Sequence, residues 1–163
     1  MNLEQLEATL KPLLKKLGYR KRNLTWYKNY AETTVVFSIQ KSMYGSDVWY
    51  YCFGVDILGM EGSHGNTITH CQVLDRYDQV ENGLCLIPEK LVQMIQFWDS
   101  RYGTIHELQA RLSMGEMPKM TYGTAIMHLA IGLGVPEASF ASMTQEKWKA
   151  YYRNSVNLVH VAS

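Results

Sequence analysis

The chain opens on leucines at spacings of three and four: Leu3, Leu6, Leu10, Leu13, Leu14 and Leu17. That spacing lines them along one face of a helix. Asn2 offers a side-chain oxygen to start the helix, and Gly18 is a residue free to end it. Pro12 sits inside the pattern, where it removes a hydrogen bond and crowds the carbonyl of Ala8, so a kink is expected there. From residue 24 the pattern changes. Residues 24–30 (LTWYKNY) are aromatic and strand-prone, and Ala31 with Glu32 reads as a short turn. In 33–41 (TTVVFSIQK), Val35, Phe37 and Ile39 alternate with Thr34, Val36, Ser38 and Gln40, a period of two. The alternation resumes over 47–58, with Trp49, Tyr51, Phe53, Val55 and Ile57 on one face and Val48, Tyr50, Cys52, Gly54 and Asp56 on the other. Gly45-Ser46 between these runs suits a two-residue type II′ turn, because glycine accepts positive φ. The aromatic set therefore reads as the inward face of a hairpin, shielded by the leucine helix.

After a glycine-rich loop at 59–66 (GMEGSHGN), a fourth strand is expected near 67–74 (TITHCQVL). The helical period then returns. Pro88 suits a first helical turn, and Leu91, Met94, Ile95, Trp98 and Tyr102 form an apolar stripe across 88–102. Thr104 is placed to cap a helix through Leu112, Thr121 to cap 122–132, and Thr144 to cap a last helix holding Trp148, Tyr151 and Tyr152. Small residues in and just after 122–132 (Gly123, Ala125, Ala130, Gly132, then Gly134) permit close helix contact. Strands followed by helices predict an α+β fold: an antiparallel β-meander packed against an N-terminal helix, with a helical C-terminal half. The length predicts one domain, 1–163, with helix plus sheet in 1–76 and the helical portion in 88–160.

Composition narrows the class. A hydrophobic content of 47% with 19% charged residues excludes a disordered chain. Eleven tyrosines and four tryptophans hint at a binding surface. The net charge is only +1, yet residues 1–30 carry Lys11, Lys15, Lys16, Arg20, Lys21, Arg22 and Lys28 against Glu4 and Glu7. That is +5, leaving −4 for the remainder. Such a basic end suits an acidic partner or nucleic acid, though a solvated face is the commoner fate of a charge run and the near-neutral total disfavours nucleic acid. Cys52, Cys71 and Cys85 are an odd set without CxxC spacing, which does not read as a disulfide framework. The first residues lack the apolar run of a signal peptide and no window spans a membrane, so a cytoplasmic location is expected.

Catalytic patterns are sparse. His64, His70, His106, His128 and His160 fall in no metal-ligand spacing, and the adjacent pair His70-Cys71 would point to opposite faces of a strand. Asp75, Asp78 and Glu81 form a possible acid–base cluster, although a solvated turn is the commoner role. GxSxG, P-loop and dinucleotide fingerprints are absent. The expectation is a non-enzymatic protein with no cofactor and no metal.

The order of phrases is informative. Leu17-Gly18-Tyr19 closes the helix, Thr25-Trp26-Tyr27-Lys28 opens the strands, Gln40-Lys41-Ser42 with Gly45 follows, and Phe53-Gly54-Val55 ends the aromatic run. In this order the chain resembles an uncharacterised bacterial family, domain of unknown function 4304, most closely over 1–58. The resemblance implies a small cytoplasmic module and, through relatives in toxin–immunity neighbourhoods, an immunity-type partner that blocks a bacterial toxin.

From the residues themselves, Gln40, Lys41 and Ser42 are expected either to satisfy the backbone beside the turn or, with Arg20, Arg22 and Lys28, to grip an acidic protein surface. Tyr27 and Tyr50 would be the aromatic anchors on an exposed sheet face. The alternative is a small hydrolase or ligand-binding domain with a site where sheet meets helices, near Asp75, Asp78 and His128.

Overall fold

In the computed structural model, residues 2–43, 49–60, 62–63, 67–78 and 87–140 are described. The leucine spacing becomes helix α1, Leu3–Lys16, with Leu6, Leu10 and Leu14 fully buried and Leu3, Leu13 and Leu17 at the margin. A reciprocal capping box between Asn2 and Gln5 begins it, satisfying two donors that the first turn would otherwise orphan. The helix runs on through Pro12. It ends in a Schellman motif: Gly18 at φ +87° places its own N–H on Lys15 O and the N–H of Tyr19 on Leu14 O.

The motif turns the chain straight into a strand. β1 (Arg20–Arg22), β2 (Thr25–Asn29), β3 (Thr33–Lys41), β4 (Trp49–Ile57) and β5 (Val73–Asp78) form one antiparallel sheet in the order β1-β2-β3-β4-β5. β1 was not expected. Its three residues read as a basic run, yet Asn23 at φ +53° turns them back onto β2, a conformation asparagine tolerates better than most residues. β5 begins six residues later than expected, because Ile68–His70 is a 3-10 turn and not strand.

The β3–β4 pairing corrects the turn. Val35 lies opposite Val55, Phe37 opposite Phe53 and Ile39 opposite Tyr51, so the expected inward faces meet. A two-residue turn at Gly45-Ser46 would set Lys41 opposite Tyr50; here Lys41 faces Trp49. Matching the two apolar faces requires an odd connection, and a slip of one residue would turn every side chain over. Face burial therefore overrides local turn preference. Gly45 and Ser46 themselves lie outside the described residues, as do Glu81, Cys85, His64, His160 and the helix expected after Thr144.

Helices α2 (Pro88–Tyr102), α3 (Ile105–Ser113) and α4 (Gly123–Gly132) complete the fold. Thr104 caps α3 as expected, its hydroxyl accepting from Glu107 N. Thr121 does not cap α4, whose N-cap is Tyr122; its hydroxyl donates to Pro118 O instead. One large core joins Leu6, Leu10 and Leu14 of α1, Leu91, Ile95 and Trp98 of α2, and the odd-numbered side chains of β3 and β4. Its centre is a chain of aromatic contacts, with ring centroids 5.5 Å apart for Trp26–Phe37, 5.2 Å for Phe37–Phe53 and 5.7 Å for Phe53–Trp98. No described helix is long and apolar enough to cross a membrane.

Candidate binding face of the sheet

The other face of the meander, the even-numbered face by its β3 and β4 residues, carries the even-numbered side chains of β1, β3, β4 and β5 and the odd-numbered ones of β2, because the register shifts parity there. Pairing places Arg22, Thr25, Ser38, Cys52 and Arg76 directly opposite one another in a single row, one residue per strand. Strands repeat every 4.7–4.9 Å, so the row spans about 19 Å from end to end. Both arginines are exposed; Ser38 and Cys52 are buried and Thr25 is half-buried, its hydroxyl 3.1 Å from that of Ser38. The row is thus a trough of small polar groups with a guanidinium at each rim. Next to it run Arg20, Tyr27, Val36, Gly54 and Leu74 on one side, and Gln40 opposite Tyr50 on the other.

This face is not bare, as the sequence had suggested. A second small core of Val36, Cys52, Ile68 and Cys71 covers part of it, with Tyr27, Tyr50 and Leu74 packed at its edge. The cover is tied down by polar bonds. Gln72 is buried, accepts from Ile57 N at 2.7 Å and donates to the buried Asp56 at 2.9 Å. Ser63 donates to the other Asp56 oxygen at 3.0 Å, and the Gln72 carbonyl receives Tyr122 N at 2.8 Å. Gly54 makes the close approach possible: a Cβ there would stand 2.6 Å from Cys71 Sγ and 2.7 Å from its Cβ.

Between this cover and the trough lies an open cavity of about 250 Å³, bounded by Gln40, Cys52, Arg76, Ile68, Met120 and Tyr122 among others. Arg76 lies over the Tyr50 ring, 5.2 Å from its centroid, and joins no ion pair among the described residues. Cys52 Sγ donates to Gln40 Oε1 at 3.4 Å. Burial raises the Cys52 pKa despite the opposing pull of Arg76, and burial followed by the charge of Asp56 raises that of Cys71 well above the usual thiol range. Both are thereby kept as thiols, which suits packing and not nucleophilic attack.

Five of the eight residues singled out from sequence share this face: Arg20, Arg22, Tyr27, Gln40 and Tyr50. Ser42 lies just past the end of β3. Lys41 and Lys28 alternate to the opposite face. Lys41 is exposed, 6.0 Å from the Trp49 ring centroid. Lys28 is internally engaged, 2.8 Å from Asp99 Oδ2, while Tyr30 donates to Asp99 Oδ1 at 2.6 Å. Its ammonium ties the sheet to α2. Tyr19 is buried beside this cluster, and burial, then the charge of Asp99, push its hydroxyl pKa upward. Arg76 escapes the sequence reading because Asp75 and Asp78 suggest an acid–base cluster or a solvated turn; the alternation Val73, Asp75, Tyr77 against Leu74, Arg76 is the available signal.

Of the alternative acid–base set, Asp75 is among the residues lining the cavity and His128 is not, while the Asp78 side chain lies outside the described residues. Asp75 accepts from the Tyr77 hydroxyl at 3.1 Å on the core side of β5, and His128 is exposed on α4 away from the cavity wall. Among the described residues no three His, Cys, Asp or Glu side chains converge as metal ligands.

A five-stranded antiparallel meander with helices on one face and a short strapped segment on the other defines an α+β domain. Residues 10–83 match the family described as Domain of unknown function (DUF4304), bearing out the resemblance over the stretch from α1 through β5. Helices α2 to α4 fall beyond the match. No curated protein and no solved structure matches the chain.

Proposed function

We propose that the protein is a non-enzymatic binding module whose even-numbered sheet face receives an acidic surface of a partner protein. The observation that carries this reading is the arginine-rimmed trough. Arg20, Arg22 and Arg76 are exposed on one face, none paired with a carboxylate among the described residues, with half-buried Tyr27 and Tyr50 between them. Arginine with tyrosine is the composition of interface anchors, and exposed guanidiniums match carboxylates in bidentate geometry. A more specific form, implied by the family resemblance, makes the partner a bacterial toxin and the mechanism occlusion by an immunity-type protein. Affinity capture from the native host tests the reading when run with the wild-type chain beside Arg20→Glu/Arg22→Glu. A stoichiometric partner held by the first and lost from the second supports it. A partner held equally by both, or none held by either, removes it.

A further inference from the structure

The cavity beside Arg76 has a composition of its own. One wall is apolar, from Ile68, Leu74 and the Met120–Tyr122 lip; the other presents the Arg76 guanidinium and the Gln40 carboxamide, with Thr69 and Asp75 also in the lining, the Asp75 carboxylate held by the Tyr77 hydroxyl on the core side of β5. Gln40 Oε1 is occupied by the Cys52 thiol, which fixes the amide so that its NH₂ remains as a donor. Met120 and Tyr122 are 42% and 52% exposed, an unusual placement for large apolar side chains flanking a cleft. The walls are held by the Gln72 bonds to Asp56 and to Tyr122 N, so both sides belong to one braced unit. The volume, about 250 Å³, lies just below the range of drug-sized sites and admits a single small group.

We infer that this cavity is a seat for one carboxylate carried on a short apolar or aromatic stem: Arg76 and the Gln40 NH₂ receive the carboxylate, and Met120 with Tyr122 covers the stem. The inference goes beyond the proposed binding of a partner, since the same chemistry arrives either as a free small acid or as an acidic side chain beside an apolar one on a protein. A charge-assisted hydrogen bond on a half-dry apolar wall is stronger than the same bond in open water, and truncating its donor leaves the carboxylate unpaired.

Backbone NMR titration of the full chain tests it with three probes: 3-phenylpropionate, the isosteric 3-phenylpropionamide, and the blocked peptide acetyl-Phe-Asp-amide. The expected result is that at least one carboxylate probe shifts the amides of Cys52, Arg76 and Tyr122 while the amide probe binds about tenfold more weakly. Arg76→Gln then loses about tenfold for that probe, and Arg101→Gln, at a residue that does not line the cavity, leaves binding unchanged. Binding of the free acid identifies a small-molecule site; binding of the peptide alone identifies a partner side chain. Equal binding of acid and amide, no response to either carboxylate at about 10 mM, or an unaltered response in Arg76→Gln overturns the inference. If the cavity fails this test while Arg20→Glu/Arg22→Glu still abolishes partner capture, the seat is wrong and the proposed function stands.

Discussion

The two faces of the sheet are built to different rules. The odd-numbered face is dry and continuous: α1 and α2 lie over it, and the aromatic contacts run from Trp26 through Phe37 and Phe53 to Trp98. The even-numbered face mixes four buried apolar groups with buried polar ones, and its cover is a turn and a strap, not a helix. The same strands supply both, so the difference lies in what packs on each side. A face whose central positions are apolar and covered by helices has few surfaces left to offer. A face with Ser38, Gln40, Cys52 and Arg76 at alternate positions is less tightly sealed and keeps donors near solvent.

The largest effect expected from this division is on stability. Phe53→Ala, fully buried at the centre of the odd face, should cost about 3–5 kcal/mol, a large part of a typical domain's total. Tyr50→Ala, half-buried on the other face, should cost about 1 kcal/mol. Urea unfolding of the two variants measures both; equal losses would show that the two faces carry the fold alike. Next comes the clamp between sheet and α2. Asp99→Ala leaves Lys28 and Tyr30 without their acceptor and should cost about 2 kcal/mol, with Lys28→Met costing less because it also removes the stranded charge. Gly54→Ala pushes a methyl into Cys71 and should cost about 1–3 kcal/mol. Its damage should be confined to the strap over 67–72, visible as faster amide exchange there than in α1.

The smallest effect is alkaline. Burial first, and Asp75 second, raise the Tyr77 pKa from 10.0 to about 12. The folded state thus holds the neutral phenol more tightly than the unfolded chain does. Its contribution is complete below pH 10 and is lost as pH rises toward about 12. Burial likewise raises Tyr30, which loses stability over the same direction of pH. Melting temperatures across this window should fall, and Tyr77→Phe should make the fall shallower; an unchanged slope would contradict the assignment.

Much of the odd face was legible, because its signal is a period. Leucines three and four apart marked α1, and the alternation of Val35, Phe37 and Ile39 and of Tyr51, Phe53, Val55 and Ile57 marked the inward faces of β3 and β4. The turn between them was misjudged because Gly45-Ser46 is a local preference, whereas register is fixed by burial of the whole face. β1 was hidden since Arg20-Lys21-Arg22 carries no apolar alternation; the Schellman end of α1 and the Asn23 turn create it. The candidate site was half legible. Tyr27, Gln40 and Tyr50 follow from strand parity, but Arg76 needed the correct start of β5, which the 3-10 turn delays. The destiny of Lys28 could not be read at all, since its partner Asp99 lies 71 positions away in sequence.

The proposed function makes the even-numbered face the surface that meets a partner, and one comparison reaches that proposal directly. Arg20→Glu, Arg22→Glu and Arg76→Glu are combined in a single chain, whose melting temperature and capture of the host partner are measured beside the wild type. Exposed substitutions shift stability by only about 0.5 kcal/mol each, so the melting temperature should move little while the partner is lost. A well-folded triple variant that still retains the partner would contradict the account.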